Sequence, residues 1–293
     1  MDSRYLQSLI FVVEQGSIAA AARAQNLTPA AISQRIQALE HELNCPLLDR
    51  SSHKAVPTHH AVSLLPRARH IVQQTQALMG DIDQDGLTGP IRIGAIDSVL
   101  SSLFPKAMVR INKIAPRARC QITPGTSALL YDAVQQQNVD IAITVAPTFS
   151  LPKSLVQTHL FEEPYALISH KKAESVEQAL REQPYIRYDQ NSWGGHKIAQ
   201  WLKEKKIATN VIADLDALHT IAQMVNAGAG VSVIPLWAGI RKQLPQLKII
   251  PLNNPELMRP IVAIHPHYPE RPALVSALIS ALAEAASEAT PAT

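Results

Sequence analysis

Cysteine is almost missing from this chain of 293 residues, and the two that occur, Cys45 and Cys120, lie in segments of different character. The first falls in a helical, mildly basic stretch and the second in a later strand, so a structural disulfide is not expected and both thiols read as reduced and inert. Long apolar runs are missing too: no stretch of 18 apolar residues occurs, which argues against a membrane span. The N-terminus carries Asp2, Arg4 and Glu14 around a short amphipathic helix, not a basic leader with an apolar core and a cleavage site, so the expected location is cytoplasmic. Charge is sparse, at 17% of residues, and the net excess of +3 is too small to name a partner. A hydrophobic fraction of 46% nonetheless marks a globular protein, and the length suffices for two or three domains with real cores.

Catalytic signatures are missing as well. There is no G-x-S-x-G elbow, P-loop, H-E-x-x-H or C-x-x-C, so nothing points to an enzyme, a cofactor or zinc. Gly228 and Gly230 form a G-x-G that follows a helix and opens a strand, the reverse of the order in a dinucleotide loop, and they read as a helix C-cap. Asp81, Asp83, Asp85 and Gly86 imitate the opening of a calcium loop, but its twelfth position is Arg92, where a bidentate Glu is needed. A charged helix end and a hinge closed by Gly86, Gly89 and Pro90 is the better reading.

What is present is concentrated between Ser17 and Leu43, SIAAAARAQNLTPAAISQRIQALEHEL, which spells two short helices joined by a tight turn. Ser17 precedes an alanine-rich run suited to close packing, and Asn26 and Leu27 end it. Thr28 then stands as an N-cap, and Pro29 takes the first helical position, where its missing N–H is harmless. In the second helix Ile32, Ile36, Leu39 and Leu43 draw one apolar stripe, leaving Ala30, Gln34, Gln37 and His41 opposite. Small residues permit close approach to a major groove and Gln can bond an adenine edge, so this helix reads as a DNA-reading element; an ordinary helical hairpin with a solvated outer face is the competing reading. Upstream, Tyr5, Leu6, Leu9, Ile10 and Val13 make an amphipathic helix ending at Gly16, the third of a compact bundle. Downstream, Pro46 to Arg50 give a short apolar strand and Ser51 to Pro57 a polar, basic loop, a wing in which Arg50 and Lys54 would face phosphate or minor groove. Between Gln15 and His70 six Lys or Arg stand against three Asp or Glu, a mild attraction for phosphates.

From Ala61 through Leu64, Leu65, Ala68, Ile71, Val72, Thr75, Leu78 and Met79 to Ile82, the spacing draws a seam for a long helix, packed against a partner helix or against its own domain. Pro66 should kink this helix without dividing it. From Ile91 short strands alternate with helices: IRIGAI, Leu103 to Ile114, CQIT, Ala128 to Gln136 and DIAITVA. FEEPYALISH, a helix around Lys197 to Lys206, NVIAD, Ala217 to Ala227, VSVIP, a return strand PIVAIHP and a helix over Ala273 to Ala286 follow. Two βα units in succession imply an α/β fold with an open, mainly parallel sheet. Ligands of such sheets sit at the carboxyl ends of strands beside helix N-termini, which nominates Asp97 with Ser98, Thr126 with Ser127, and Val145 between Thr144 and Ala146. Ser98, Thr126 and Asp216 would serve equally well as N-caps. Asp97 is the odd member, because a carboxylate there would repel an acid; either it points to solvent or the ligand also carries a cation, as an amino acid would.

The amphipathic first helix, then GSIAAAARAQNLTPAAISQRIQALEHELNCPLLDR, then a long helix after the wing, resembles the LysR-type transcriptional regulators. The likeness covers essentially the whole chain, is highly specific in the first sixty residues, and after Pro90 is one of fold. Where the family usually has Leu-Thr-x-Ala-Gly after the wing, this chain has Val56-Pro57-Thr58-His59-His60-Ala61. The resemblance implies a winged helix-turn-helix DNA-binding domain over 1–58, a linker and dimerisation helix over 59–86, and an effector-binding domain over 87–293. That last domain would be a two-lobed α/β fold like a periplasmic binding protein, with lobe one at 90–161 and 266–293 and lobe two at 162–265. Also implied is a sequence-specific, non-enzymatic regulator in which Thr28, Pro29, Ala30, Ser33 and Gln34 lie nearest the bases and Arg35, Arg50 and Lys54 on backbone or minor groove. Its effector, an organic acid or amino acid, would meet Asp97, Ser98, Thr126, Ser127 and Val145 from lobe one and Trp193, His196 and Asp216 from lobe two. The implied partners are double-stranded promoter DNA, the effector, further copies of the chain as a homodimer or homotetramer, and RNA polymerase, with no cofactor, metal or membrane. A solute-binding module or enzyme on the same two-lobed domain would lack the winged helix. A redox-switched member of the family would need Cys45 or Cys120 to react, since no cysteine follows Cys120.

Overall fold

The computed structural model describes residues 1–49, 55–81, 85–172 and 174–289, and the chain divides into two compact units, Met1–Gln84 and Asp85–Thr293. Unit one holds α1 (Ser3–Gln15), α2 (Ile18–Ala24), α3 (Pro29–Leu43), β1 (Leu48–Asp49), β2 (Val56–Pro57) and α4 (His59–Asp81). The helix starts are capped by their own sequence: Asp2 accepts from the Arg4 N–H, Ser17 from the Ala20 N–H and Thr28 from the Ala31 N–H. Gly16, at φ 69°, closes α1 in a left-handed turn that a Cβ would strain. Buried Ala21 and Ala22 bring α2 close against α1 and α3 over a core of Leu6, Leu9, Val12, Ile32, Ile36, Leu39 and Leu47.

The strands β1 and β2 pair antiparallel, Leu48 opposite Pro57 and Asp49 opposite Val56. Thr58, where the chain departs from the Leu-Thr-x-Ala-Gly pattern, accepts from the Ala61 N–H at 3.2 Å and donates to the Pro46 carbonyl at 2.8 Å. It therefore caps α4 and pins it to the wing at once. Helix α4 runs unbroken through Pro66, and its seam is divided. Ala61, Leu65, Ala68 and Val72 are buried in the unit's own core, whereas Ile71 and Leu78, seven residues apart and so on one face, are 39% and 60% exposed.

Unit two begins with β3 (Gly89–Ala95), α5 (Asp97–Ser102), α6 (Phe104–Ile114), β4 (Ala118–Pro124), α7 (Ser127–Gln135), β5 (Ile141–Val145) and β6 (Leu155–Ser169). It continues with α8 (Val176–Glu182), β7 (Pro184–Tyr188), α9 (Gly195–Glu204), β8 (Asn210–Leu215), α10 (Leu218–Asn226) and β9 (Val231–Pro235). The chain closes with α11 (Ile240–Gln243), β10 (Lys248–Pro251), β11 (Met258–Pro266) and α12 (Pro272–Ala289). Strand order is β4-β3-β5-β11-β6-β9-β7-β8, with β10 against β6. Parallel pairing holds within each βα group, β3 with β4 and β5 and β7 with β8 and β9. Both long strands, β6 and β11, run antiparallel to their neighbours, so the sheet is mixed where a mainly parallel one is expected.

These two strands are shared by two lobes. β6 pairs with β11 over 155–164 and with β9 over 165–169. Each lobe has its own core, one around Ile93, Val99, Phe104, Ile141, Ile143 and Leu278, the other around Tyr165, Leu180, Ile186, Ile221, Val233 and Trp237. The expected lobe boundary at 265/266 is corrected by the pairing: β11 bonds β5 over Ile261–Ile264, and Ile261 and Ala263 are buried in the first core, so the return strand stands with lobe one. At the hinge, Arg92, which occupies the twelfth position of the calcium-like stretch, is instead ion-paired with Asp140.

Candidate functional site

The free face of α3 is built by its own periodicity. Ile32, Ile36 and Leu39 are buried, and Thr28, Pro29, Ala30, Gln34, Gln37 and His41 are exposed. Near the start of α3 the Thr28 oxygen accepts the Ala31 N–H at 3.2 Å and the Ser33 hydroxyl donates to the Pro29 carbonyl at 3.0 Å, so both are held by the helix, while Gln34 and, a turn on, Gln37 are exposed amides. Arg35 does not stand where it is expected. Its Nη1 donates to Ser8 Oγ at 3.2 Å and to Gln25 Oε1 at 3.5 Å, and the single hydroxyl proton of the fully buried Ser8 has two acceptors in reach, Gln25 Oε1 at 3.1 Å and the Arg4 carbonyl at 3.0 Å. A half-buried guanidinium tied to α1 and to the end of α2 sets the helix geometry in place of reaching for phosphate. At the other end of α3, Glu40 Oε1 accepts the Leu47 and Leu48 N–H groups at 2.8 and 3.2 Å, fixing the start of the wing. Arg50 and Lys54 lie outside the described residues.

In unit two a cavity of about 540 Å³ lies between the lobes, within the roughly 300–1,000 Å³ usual for small-molecule sites. Asp97, Ser98, Thr126, Ser127, Val145, Trp193 and Asp216 all line it, so the strand ends and the loop ahead of α9 converge. His196 does not. It is exposed on α9 and lines a separate depression with Gln190, Ala199 and Lys203. The cause is local: Gly194 and Gly195 are buried, the Gly194 carbonyl accepts from Tyr165 Oη at 2.8 Å, and a Cβ on Gly195 would stand 2.0 Å from the Asp189 carbonyl oxygen. With the glycine pair facing inward, the next residue is turned out.

The capping question has three different answers. Thr126 caps α7, accepting from the Leu129 N–H at 3.4 Å, and Ser127 accepts the Val145 N–H at 3.1 Å, locking the end of β5 to the helix start. Ser98 is not a cap, because Ile96 precedes α5; its buried hydroxyl accepts from Arg259 Nη2 at 3.0 Å. Asp216 is not a cap either, since Ala217 precedes α10. Its carboxyl is exposed into the cleft between Tyr188, Ser192 and Asp189. Loss of water around it pushes it up to about 6, with Asp189 adding to the rise and with Arg259 and hydrogen bonds from Ser192 and Tyr188 opposing it. Asp97 turns away from the cavity floor: its Oδ2 meets His219 Nδ1 at 2.7 Å, and His219 Nε2 lies 3.1 Å from Ser101 Oγ. Trp193 packs on Phe149 and Tyr131 at centroid distances of 5.5 and 5.9 Å, a three-ring cluster joining the lobes at the rim.

Sequence reasoning missed the floor of the cleft, Arg259. This side chain is 2% exposed, lies directly opposite Glu163 in the β11–β6 pairing, and has its Nη1 3.3 Å from a Glu163 oxygen. Its Nε and Nη1 have no hydrogen-bond partner among the described residues. Burial pushes the Glu163 carboxyl up and the Arg259 guanidinium opposes the rise, while Tyr165 and Tyr188 beside them are held protonated by burial. The available signal was a lone charge at the head of an apolar strand, in LMRPIVAIHP.

Comparison with known proteins follows the same two units. The model of the bacterial regulatory helix-turn-helix protein, lysR family, matches residues 3–62, and that of the LysR substrate binding domain matches 84–287. Curated relatives include the transcriptional regulator SoxR of Arthrobacter sp. strain TE1826, 28% identical over 236 residues and covering 80% of each chain. The transcriptional activator IlvY of Haemophilus influenzae is 27% identical over 245 residues, covering 80% of this chain and 83% of that one. Among solved structures the LysR family regulator CbnR has a TM-score of 0.69 at 17% identity, over 98% of this chain and 99% of that one. Full-length OxyR of Pseudomonas aeruginosa has a TM-score of 0.67 at 18% identity, over 96% and 94%. A helix-turn-helix with a free recognition face, a two-lobed domain with a lined cleft, and family models that between them span both units place this chain in the LysR family, as a non-enzymatic DNA-binding transcriptional regulator with an effector domain of the substrate-binding type.

Proposed function

We propose that the chain reads promoter DNA with Thr28, Pro29, Ala30, Ser33 and Gln34 nearest the bases and with Arg50 and Lys54 on the backbone, and that a small carboxylate-bearing ligand in the interlobe cleft sets its activity. The observation that carries the second part is Arg259, the one Lys or Arg among the described residues lining the cavity, a guanidinium backed by Glu163 at 3.3 Å and presenting Nη2 to Ser98. A ligand carboxylate meets this charge through Nη2 and the Ser98 hydroxyl, and Thr126 and Ser127 at the start of α7 add donors and a helix N-terminus beside it. Ser98, Thr126, Ser127, Val145, Trp193 and Asp216 are the effector-facing residues of this reading, with Asp97 at its rim. The active form is a homodimer or homotetramer joined through α4, acting in the cytoplasm with RNA polymerase as a further partner. Among the described residues no helix is long and apolar enough to cross a membrane. Full-length CbnR has been solved on its target DNA in this same fold.

The test begins with duplexes selected from a random library by the full-length protein. Gln34→Ala should flatten the preference among selected sites, whereas Lys54→Ala should weaken all of them alike and reduce the slope of log affinity against log salt by about one. Equal losses from both substitutions at every sequence would sink the assignment of bases to α3 and backbone to the wing.

A further inference from the structure

The charges of the cleft narrow the ligand, on the reading that it binds there. Among the described residues lining the cavity, Arg259 is the one Lys or Arg, and it faces three aspartates, Asp97, Asp189 and Asp216. All three have polar partners. Asp97 meets His219 at 2.7 Å, and Asp189 Oδ1 accepts the Asn191 N–H at 2.9 Å and its side-chain amide at 3.2 Å. Asp216 has the hydroxyls of Tyr188 and Ser192 as hydrogen-bond partners, makes no ion pair among the described residues, and is exposed into the cavity. Arg259, 2% exposed, sits at the floor of the cavity, with its Nη1 3.3 Å from Glu163 beneath it and its Nη2 donating to Ser98 at 3.0 Å on the cavity side. One wall thus asks for an anion and the other for a cation.

We propose that the effector is a zwitterion, an α-amino acid, whose carboxylate takes Arg259 and Ser98 and whose ammonium takes Asp216. A dianion finds no second cation in the cavity and meets Asp216 and Asp189 instead. A plain monocarboxylate answers Arg259 and leaves Asp216 repelling it; a plain amine answers Asp216 and leaves Arg259 without an anion on the cavity side. Ile96, Leu129, Val145, Trp193 and Leu218 supply most of the remaining wall, which suits an aliphatic or aromatic side chain better than a further charge.

The experiment is calorimetric titration of the full-length protein with each of the standard α-amino acids, and for every binder with its des-amino acid and its decarboxylated amine. At least one amino acid should bind about ten-fold or more tighter than both counterparts, a difference of about 1.4 kcal/mol. Asp216→Asn should bring that amino acid and its des-amino acid to within about two-fold of each other, since the neutral amide no longer selects the ammonium. Because Arg259→Met alone strands Glu163 in the interior, the carboxylate arm uses Arg259→Met with Glu163→Met, its folding checked by tryptophan fluorescence, and this pair should erase the preference over the amine. A des-amino acid that binds as tightly as its amino acid, and loses its binding in Ser98→Ala, would overturn the zwitterion and leave the cleft reading standing. Binding that survives Ser98→Ala, Asp216→Asn and the double variant would overturn both, and a panel in which no amino acid binds would overturn the zwitterion as well.

Discussion

Arg259→Met should be among the most damaging single substitutions in residues 85–293, and adding Glu163→Met should restore most of the loss. The two side chains are 2% and 5% exposed, stand directly opposite each other on β11 and β6, and approach to 3.3 Å. Burial already pushes the Glu163 carboxyl up, and the Arg259 guanidinium is what opposes it. Without Arg259 the carboxyl is left in a dry interior, either charged and unpaired or neutralised by taking up a proton. Removing one partner of such a pair costs about 3–5 kcal/mol, whereas replacing both with apolar side chains of similar volume is neutral or stabilises by about 1–4 kcal/mol. The single variant should therefore lose about 3–5 kcal/mol and the double variant should lie within about 1 kcal/mol of the parent. Urea unfolding followed by tryptophan fluorescence isolates the effect, because Trp193, Trp201 and Trp237 all lie in the unit that carries the pair. A loss below about 1 kcal/mol in the single variant, or a double variant as unstable as the single, would refute the reasoning, since the charges would then not be energetically coupled.

Three further outcomes are expected. Glu40→Ala removes the carboxylate oxygen that accepts from both the Leu47 and Leu48 N–H groups and should destabilise the winged unit by about 2–3 kcal/mol; unchanged hydrogen-exchange protection at those two amides would show that the contact does not hold the wing. Ile71→Asp combined with Leu78→Asp places charge on the exposed apolar face of α4 and should lower the mass measured by light scattering, while a variant that keeps the parent mass would move the association to other surfaces. The Asp216 carboxyl is pushed up to about 6 in the folded chain, against about 3.9 when unfolded, so the folded state holds that proton more tightly. Its contribution is fully present below about pH 4 and is lost as pH rises through about 6, so the urea midpoint should be higher at about pH 5 than at about pH 7.5. Asp216→Asn should reduce that difference, and an unchanged slope would assign it to another group.

The winged unit was nearly all legible because its signals are local. Ser17 and Thr28 cap the helices that follow them, Gly16 ends α1, and Ala30, Gln34, Gln37 and His41 are exposed as the spacing requires. Arg35 was misplaced because its partners, Ser8 and Gln25, lie on other helices, and no periodicity within α3 announces them. In unit two the longer strands and helices were found, whereas α5, α8, β7, α11 and β10 had no counterpart in the sequence reading. They are short, and a few residues carry too little of a period to separate helix from strand. The apolar run PIVAIHP places the start of the return strand at Pro260, whereas β11 begins at Met258, because a charge ahead of an apolar run looks like its end. Only the pairing of Arg259 with Glu163, far apart in the chain and adjacent in the sheet, makes that charge an interior one.

The position of that pair bears on how a ligand could act. β6 and β11 are the strands both lobes share, so Arg259 is anchored where the lobes join, with Ser98 of lobe one on its Nη2 and Asp216 of lobe two close enough to feel its charge. The rim is already closed by contacts across the cleft, Asp97 and Ser101 with His219 on one side and Tyr131 and Phe149 with Trp193 on the other. A ligand shifts such an arrangement only by the difference in its affinity for the closed and open forms. A molecule with a single charge satisfies Arg259 or Asp216 wherever the other wall stands, so it distinguishes the two forms weakly. One that carries both charges ties Arg259 on the shared strands to Asp216 on lobe two, and whatever that second interaction gains in one form over the other is the difference that moves the equilibrium.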